Sequence, residues 1–173
     1  MAALARACAE GRIAADVKCV VSGSPDAPAL ETAHELGLKT EVVLPSDNYG
    51  PDLMRVLEGC EVLCLAGFLR LLPDAVLDAF PRRVLNIHPS LLPKFGGKGM
   101  YGRRVHEAVL AAGETESGCT VHRVTSVYDE GEIVLQKRCA VEPDDTPETL
   151  AARVLKLEHE AYPEAVAKVL RDG

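Results

Sequence analysis

No stretch of this 173-residue sequence is apolar for anything near the ~20 residues that a membrane-spanning helix needs. Basic charge is also scarce: 19 Lys and Arg stand against 26 Asp and Glu, a net charge of −7. That balance excludes a broad nucleic-acid-binding face, which clusters Lys and Arg. None of the six cysteines (Cys8, Cys19, Cys60, Cys64, Cys119, Cys139) belongs to a CxxC pair, and they sit within apolar runs. They read as free thiols in a reducing cytoplasm, not as a disulfide framework. The opening MAALARACAEGR is broken by Arg6, Glu10 and Arg12, so it does not read as a signal peptide. Internal repeats and low-complexity linkers are absent as well.

What is present is an ordinary globular mixture, 47% hydrophobic and 26% charged, of a length that suits one domain over residues 1–173. Helical spacing in residues 1–12 ends at Gly11, and short β-branched runs follow at 17–22 and 40–44. A helix is expected at 28–37, closed by Gly37, and a shorter one at 52–59 after the turn PSDNYGP. The near-continuous apolar run EVLCLAG (61–67) suits a strand covered on both faces. Pro73 opens a helix over 73–80, and RVLNIH (83–88) is the next strand. Beyond a glycine-rich segment, 103–113 is helical, 118–125 and 132–141 are longer strands, and 147–170 is a long helix containing Pro163. Alternating elements of this kind predict a doubly wound α/β domain with a mostly parallel sheet. Ligand sites of such sheets lie beyond the carboxyl ends of strands.

The stretch NIHPSLLPKFGGKGMYG (86–102) lies at one such strand end. Its Gly97-Lys98-Gly99-Met100-Tyr101-Gly102 spells G-x-G-x-x-G, but eight residues and two prolines separate it from the strand. A dinucleotide fingerprint has its glycines directly after the strand. A P-loop also fails, because Gly99 stands where Ser or Thr is required. The segment reads as a loop. His34, His106, His122 and His159 read as surface or internally satisfied histidines, and no metal site emerges. Asn86 and His88, two apart on a strand, share a face. Two readings of His88 stand, a buried structural residue or an acid–base group. An amide beside an imidazole suits a developing oxyanion in acyl transfer. Asp129, in the YDEG turn, is either an ordinary turn aspartate or the carboxylate that keeps the imidazole charged. No GxSxG elbow or placed cysteine suggests covalent catalysis.

Asn86-Ile87-His88-Pro89-Ser90-Leu91-Leu92-Pro93, with Ala66-Gly67-Phe68-Leu69-Arg70 upstream and Tyr128-Asp129-Glu130-Gly131 downstream, resembles the phosphoribosylglycinamide formyltransferases, a family of folate-dependent enzymes. The resemblance runs from the first helix to about Leu170. It implies a Rossmann-like fold and transfer of a formyl group from 10-formyltetrahydrofolate to the amine of glycinamide ribonucleotide, in purine biosynthesis. It further implies that Asn86 holds the formyl oxygen, that His88 is the proton donor, and that Asp129 raises the His88 pKa and helps pass the proton. Leu69, Arg70, Leu71 and Leu72, with Asn86 and Thr125, Ser126, Val127, Tyr128 and Asp129, match folate-binding segments. Leu155, Lys156, Leu157 and Glu158 match a segment that contacts the ribonucleotide, with Glu158 as its polar contact. The family begins with a strand and a G-x-G-S-N loop for the ribonucleotide phosphate, whereas this sequence starts inside the following helix. The expectation is therefore a sheet lacking its N-terminal strand, gapped in the middle, that holds folate more firmly than ribonucleotide. Alternatives are formyltransferases acting on methionyl-tRNA or a nucleotide sugar and formyltetrahydrofolate hydrolase, all of which carry extra domains. A truncated, inactive folate-binding domain is the non-enzymatic alternative. Oligomeric state has no signature in the sequence.

Overall fold

The computed structural model describes residues 1–172. In chain order the elements are α1 (Ala2–Ala9), β1 (Val20–Ser22), α2 (Pro28–Glu35), β2 (Thr40–Val42), α3 (Tyr49–Leu57), β3 (Leu63–Leu65), α4 (Asp74–Ala79), β4 (Val84–His88), α5 (Arg103–Ala111), β5 (Glu116–Arg123), β6 (Ile133–Ala140) and α6 (Pro147–Arg171). Each element falls within or close to its expected segment, and the α/β class holds. The first three strands are only three residues long. α3 begins at Tyr49, inside the expected turn, and takes in Pro51. A proline costs little there, because the first turn's N–H groups have no acceptor within the helix.

β1 pairs with β2, and β3 with β4, in parallel, whereas β4, β5 and β6 form antiparallel pairs. β4 is the hinge between the two patterns. Alternation along it divides two cores. Leu85 and Ile87 face a core built with Val109, Cys119, Val121, Leu150, Val154 and Val166, where α5 and α6 cover the sheet. Val84 faces the other core, with Leu53, Leu57, Leu65, Leu72 and Val76. Asn86 and His88 share the Val84 face. Helices therefore cover both faces, as the doubly wound reading requires. Tyr162 of α6 ties the first layer to the strands, its hydroxyl lying 2.7 Å from the Leu65 carbonyl and 2.9 Å from that of Leu85. Among the described residues, no helix is long and apolar enough to cross a membrane.

The strands form two separate hydrogen-bonded sets, β1–β2 and β3–β4–β5–β6. A cleft of about 930 Å³ lies between them, lined by Val20, Val21 and Ser22 on one side and Leu63, Cys64 and Leu65 on the other, with Met1, Leu4 and Cys8 from α1. In a parallel ladder alternate residues bond to opposite sides. Val20 donates to Lys39 and Leu63 to Arg83, so the intervening logic turns the amides of Val21 and Cys64 into the cleft. By amide hydrogen exchange, Val21 and Cys64 should exchange at least about tenfold faster than Val20 and Leu63. Equal protection of the two pairs would show that the cleft edges are bonded in solution.

Candidate active site

β4 delivers Asn86 and His88, and the segment after it is fastened so that it folds back over them. Ser90, fully buried, donates from its hydroxyl to the Lys94 carbonyl at 2.7 Å. Thr120 on β5 donates to the Ser90 carbonyl at 2.6 Å and accepts from the Leu92 amide at 3.1 Å. Gln136 on β6 donates to the Leu92 carbonyl and to Thr120 Oγ1, both at 2.9 Å. Two prolines remove donors from this segment, and side chains of the neighbouring strands satisfy what remains. The result aims the Phe95 carbonyl at His88 Nε2, 2.8 Å away. A carbonyl only accepts, so Nε2 carries the hydrogen and Nδ1 is the nitrogen left for chemistry.

Nδ1 of His88 lies 3.5 Å from Oδ2 of Asp129. Asp129 arrives on the loop between β5 and β6, in a left-handed conformation (φ 57°) that aspartate tolerates better than most residues. Its Oδ2 accepts from the Gly97 amide at 2.9 Å, and its Oδ1 lies 3.5 Å from Nε2 of His122. The glycines of the loop serve this approach. A Cβ on Gly96 would lie 2.5 Å from Leu92 Cδ2 and 3.1 Å from Asp129 Cβ, and a Cβ on Gly131 would strike the Arg123 carbonyl. Gly97, Gly99 and Gly102, which spell G-x-G-x-x-G, meet no such crowding, and their positive φ (95°, 88° and 54°) is what calls for glycine there.

His122, set aside on sequence grounds as surface or satisfied, is a member of this cluster. It is 2% exposed, and it pairs across the β4–β5 ladder with Asn86. Its Nε2 lies 3.1 Å from Asn86 Nδ2 and its Nδ1 is 3.0 Å from the Arg123 carbonyl. The register that brings it there is the missing signal. Nothing local to 118–125 reveals which residue of that strand meets Asn86.

The electrostatics depart from expectation at one point. Burial lowers the His88 pKa below its ordinary value, and Asp129, although it pulls upward, does not overcome that loss of hydration. The resting imidazole therefore favours its neutral form. Burial also disfavours ionisation of Asp129, but contacts with His122, the Gly97 amide and His88 outweigh it and hold the carboxyl below its ordinary range.

The expected folate segment divides. Leu65 pairs with Asn86, so residues 66–72 leave β3 beside the cluster. Leu69 and Leu71 are exposed, as is Arg70, but Leu72 is buried in the second core and its side chain serves packing. In the 125–129 loop, Thr125 Oγ1 accepts from the Val127 amide at 3.2 Å, and Ser126 and Val127 are exposed while Tyr128 is half-buried. On α6, Leu155 and Lys156 are exposed and Leu157 packs against the first core. Glu158 is half-buried within electrostatic reach of the Met1 ammonium, and burial pushes its pKa up to about 7.

Three comparisons bear on this geometry. The family model described as formyl transferase matches residues 1–166. The chain is 43% identical to the chloroplastic phosphoribosylglycinamide formyltransferase of Arabidopsis thaliana, over 95% of this chain and 59% of that protein. It is 39% identical to the trifunctional purine biosynthetic protein adenosine-3 of Drosophila melanogaster, over 91% of this chain and 12% of that protein. The crystal structure of glycinamide ribonucleotide transformylase 1 from Symbiobacterium toebii superposes with a TM-score of 0.87 at 41% identity, covering 95% of this chain and 79% of that one. The chain spans little more than half the length of the two plant relatives with which it aligns.

Glu158 makes a prediction about stability. Its carboxyl has an ordinary value of 4.5 and a folded value of about 7. The neutral form's contribution is complete below 4.5 and is lost as pH rises through about 7, because the unfolded chain releases its proton first. Glu158→Gln should flatten the fall of the urea midpoint between those two pH values. An unchanged slope would assign the proton elsewhere.

Proposed function

The chain belongs to the formyl transferase family, and we propose that it transfers a formyl group from 10-formyltetrahydrofolate to the amine of glycinamide ribonucleotide in purine biosynthesis. The observation that carries this reading is the convergence of Asn86, His88 and Asp129 at the carboxyl end of β4, in a chain matched over residues 1–166. The folate supplies an activated formyl group. The residues of this chain supply orientation and proton transfer.

Asn86 donates from its amide to the formyl oxygen, where negative charge develops as the amine adds. His88 works through Nδ1, since Phe95 holds the hydrogen on Nε2. In its neutral resting form, Nδ1 takes the proton from the attacking amine and then passes it to the departing folate nitrogen. Asp129, with 3.5 Å between its carboxylate and Nδ1, stabilises the imidazolium during that interval. The loose spacing leaves Nδ1 accessible to a substrate group. Leu69 and Leu71, with Val127, offer exposed apolar surface for a flat ring system, and Arg70, Thr125, Ser126 and Tyr128 complete the segments assigned to folate, while Leu72 anchors its segment in the second core. Leu155, Lys156, Leu157 and Glu158 are assigned to the ribonucleotide. The Glu158 carboxyl, balanced between its two forms near neutrality, would accept hydrogen bonds from a polar substrate group when ionised. Six free thiols support a reducing compartment such as the cytoplasm.

Assayed with both substrates, Asn86→Ala should lose about 10²–10³ in kcat with folding intact. A loss below about tenfold would assign the oxyanion to another group. Asp129→Asn keeps an acceptor for Gly97 but removes the charge. Because Asp129 pulls the His88 pKa upward, its removal should move the acid limb of the pH–rate profile to lower pH. It should also reduce kcat more than it weakens folate binding. An acid limb that stays in place would break the pairing of His88 with Asp129.

A further inference from the structure

Asn86 can serve as an oxyanion donor only if its Nδ2 faces the substrate, yet the amide nitrogen stands 3.1 Å from His122 Nε2. A half-turn of the amide exchanges nitrogen and oxygen in nearly the same volume, so the hydrogen on the imidazole decides between the two orientations. We propose, building on the formyl-transfer reading, that His122 is the positioning residue that turns Asn86, carrying hydrogen on both ring nitrogens and donating from Nε2 to the amide oxygen. Asn86 Nδ2 then points at the acyl oxygen.

Three observations carry this assignment. First, Nδ1 of His122 lies 3.0 Å from the Arg123 carbonyl, which can only accept, so Nδ1 holds a hydrogen in either orientation. Second, Asp129 is 11% exposed and needs donors. His88 turns toward it the nitrogen left bare by the bond to Phe95, and the Gly97 amide is its one short hydrogen bond. A bare Nε2 on His122, 3.5 Å from Oδ1, would set a second lone pair against the same buried carboxylate. A hydrogen there turns that repulsion into attraction. Third, the surroundings supply no competing charge to reverse the choice. His122 meets Asn86 and His88 from β4, Ile133 from β6 and Asp129 from the loop, while the neighbouring Arg123 is paired with Glu132. Asp129 therefore balances one imidazolium at rest, His122, and a second only while His88 holds the substrate proton. With Nε2 bare, one Nδ2 hydrogen would be committed to His122, leaving at most one for the developing oxyanion.

The test combines spectroscopy with kinetics. In the protein labelled with ¹⁵N-histidine, His122 Nε2 should resonate as a protonated nitrogen at neutral pH, and this readout does not depend on turnover. His122→Phe should lower kcat about 10²-fold, the scale of one lost oxyanion donor, with folate KM changed less than about threefold. His122→Gln restores a side-chain N–H and should recover at least about tenfold of that loss. A bare Nε2 at neutral pH, or a folded His122→Phe with kcat within about threefold of the parent, would overturn the assignment. If His122→Phe does not fold, the labelled parent and His122→Gln still decide it: a Gln variant no better than His122→Ala overturns it. Absence of turnover by the parent with both substrates would instead sink the formyl-transfer reading, and the nitrogen resonance would still report the state of His122.

Discussion

A carboxylate nine-tenths removed from water must be met by donors, and the arrangement around Asp129 is organised by that need. One oxygen receives the Gly97 amide, and the two oxygens look toward His88 and His122. To reach this place the β5–β6 loop adopts a left-handed turn at Asp129, and the β4–α5 segment gives up a side chain at Gly96. An unpaired buried charge costs several kcal/mol, so each of these local concessions is small beside the penalty it avoids. The same carboxylate links the β5–β6 loop to the β4–α5 segment.

Burial also sets the division of labour between the two imidazoles. His88 loses hydration and donates from Nε2 to a backbone carbonyl, which leaves it favouring the neutral form with one nitrogen free. His122 lies deeper, in the β5 ladder, with Asn86 on one side and its own strand's backbone on the other. Two histidines around one carboxylate cannot both be charged at low cost, because like charges at this range repel in a poorly hydrated setting. In the proposed roles, Asp129 faces one resting imidazolium, His122, and a second only while His88 holds a proton.

The scaffold under this cluster is well anchored on one side and open on the other. β4, β5 and β6 are packed under α5 and α6, with Tyr162 reaching through to the carbonyls of β3 and β4. The β1–β2 pair stands across the cleft and shares no ladder with β3. The Asn86–His88–Asp129 cluster is anchored in the antiparallel half, where Thr120 and Gln136 staple the proline segment.

Periodicity was enough to read the order of helices and strands, because each apolar pattern answers to a local geometry of 3.6 or 2 residues. It was also enough to place Asn86 and His88 on one face. The motif around Asn86 pointed to formyl transfer, and the family match agrees with it. Other features depended on distance in space. His122 joins the cluster through the β4–β5 register, which couples residues 36 apart in the chain. Leu72 looked like its exposed neighbours but turned inward to the second core. The sign of the His88 shift followed from a balance between burial and one carboxylate, and a sequence can name the carboxylate but not measure the burial. The sequence by itself determined the order of the elements and that Asn86 and His88 share a strand face, because side-chain type and strand parity are local. Which nitrogen carries a proton and which carboxylate it faces were decided only by the tertiary structure, because hydration and cross-strand register exist only once the chain has folded.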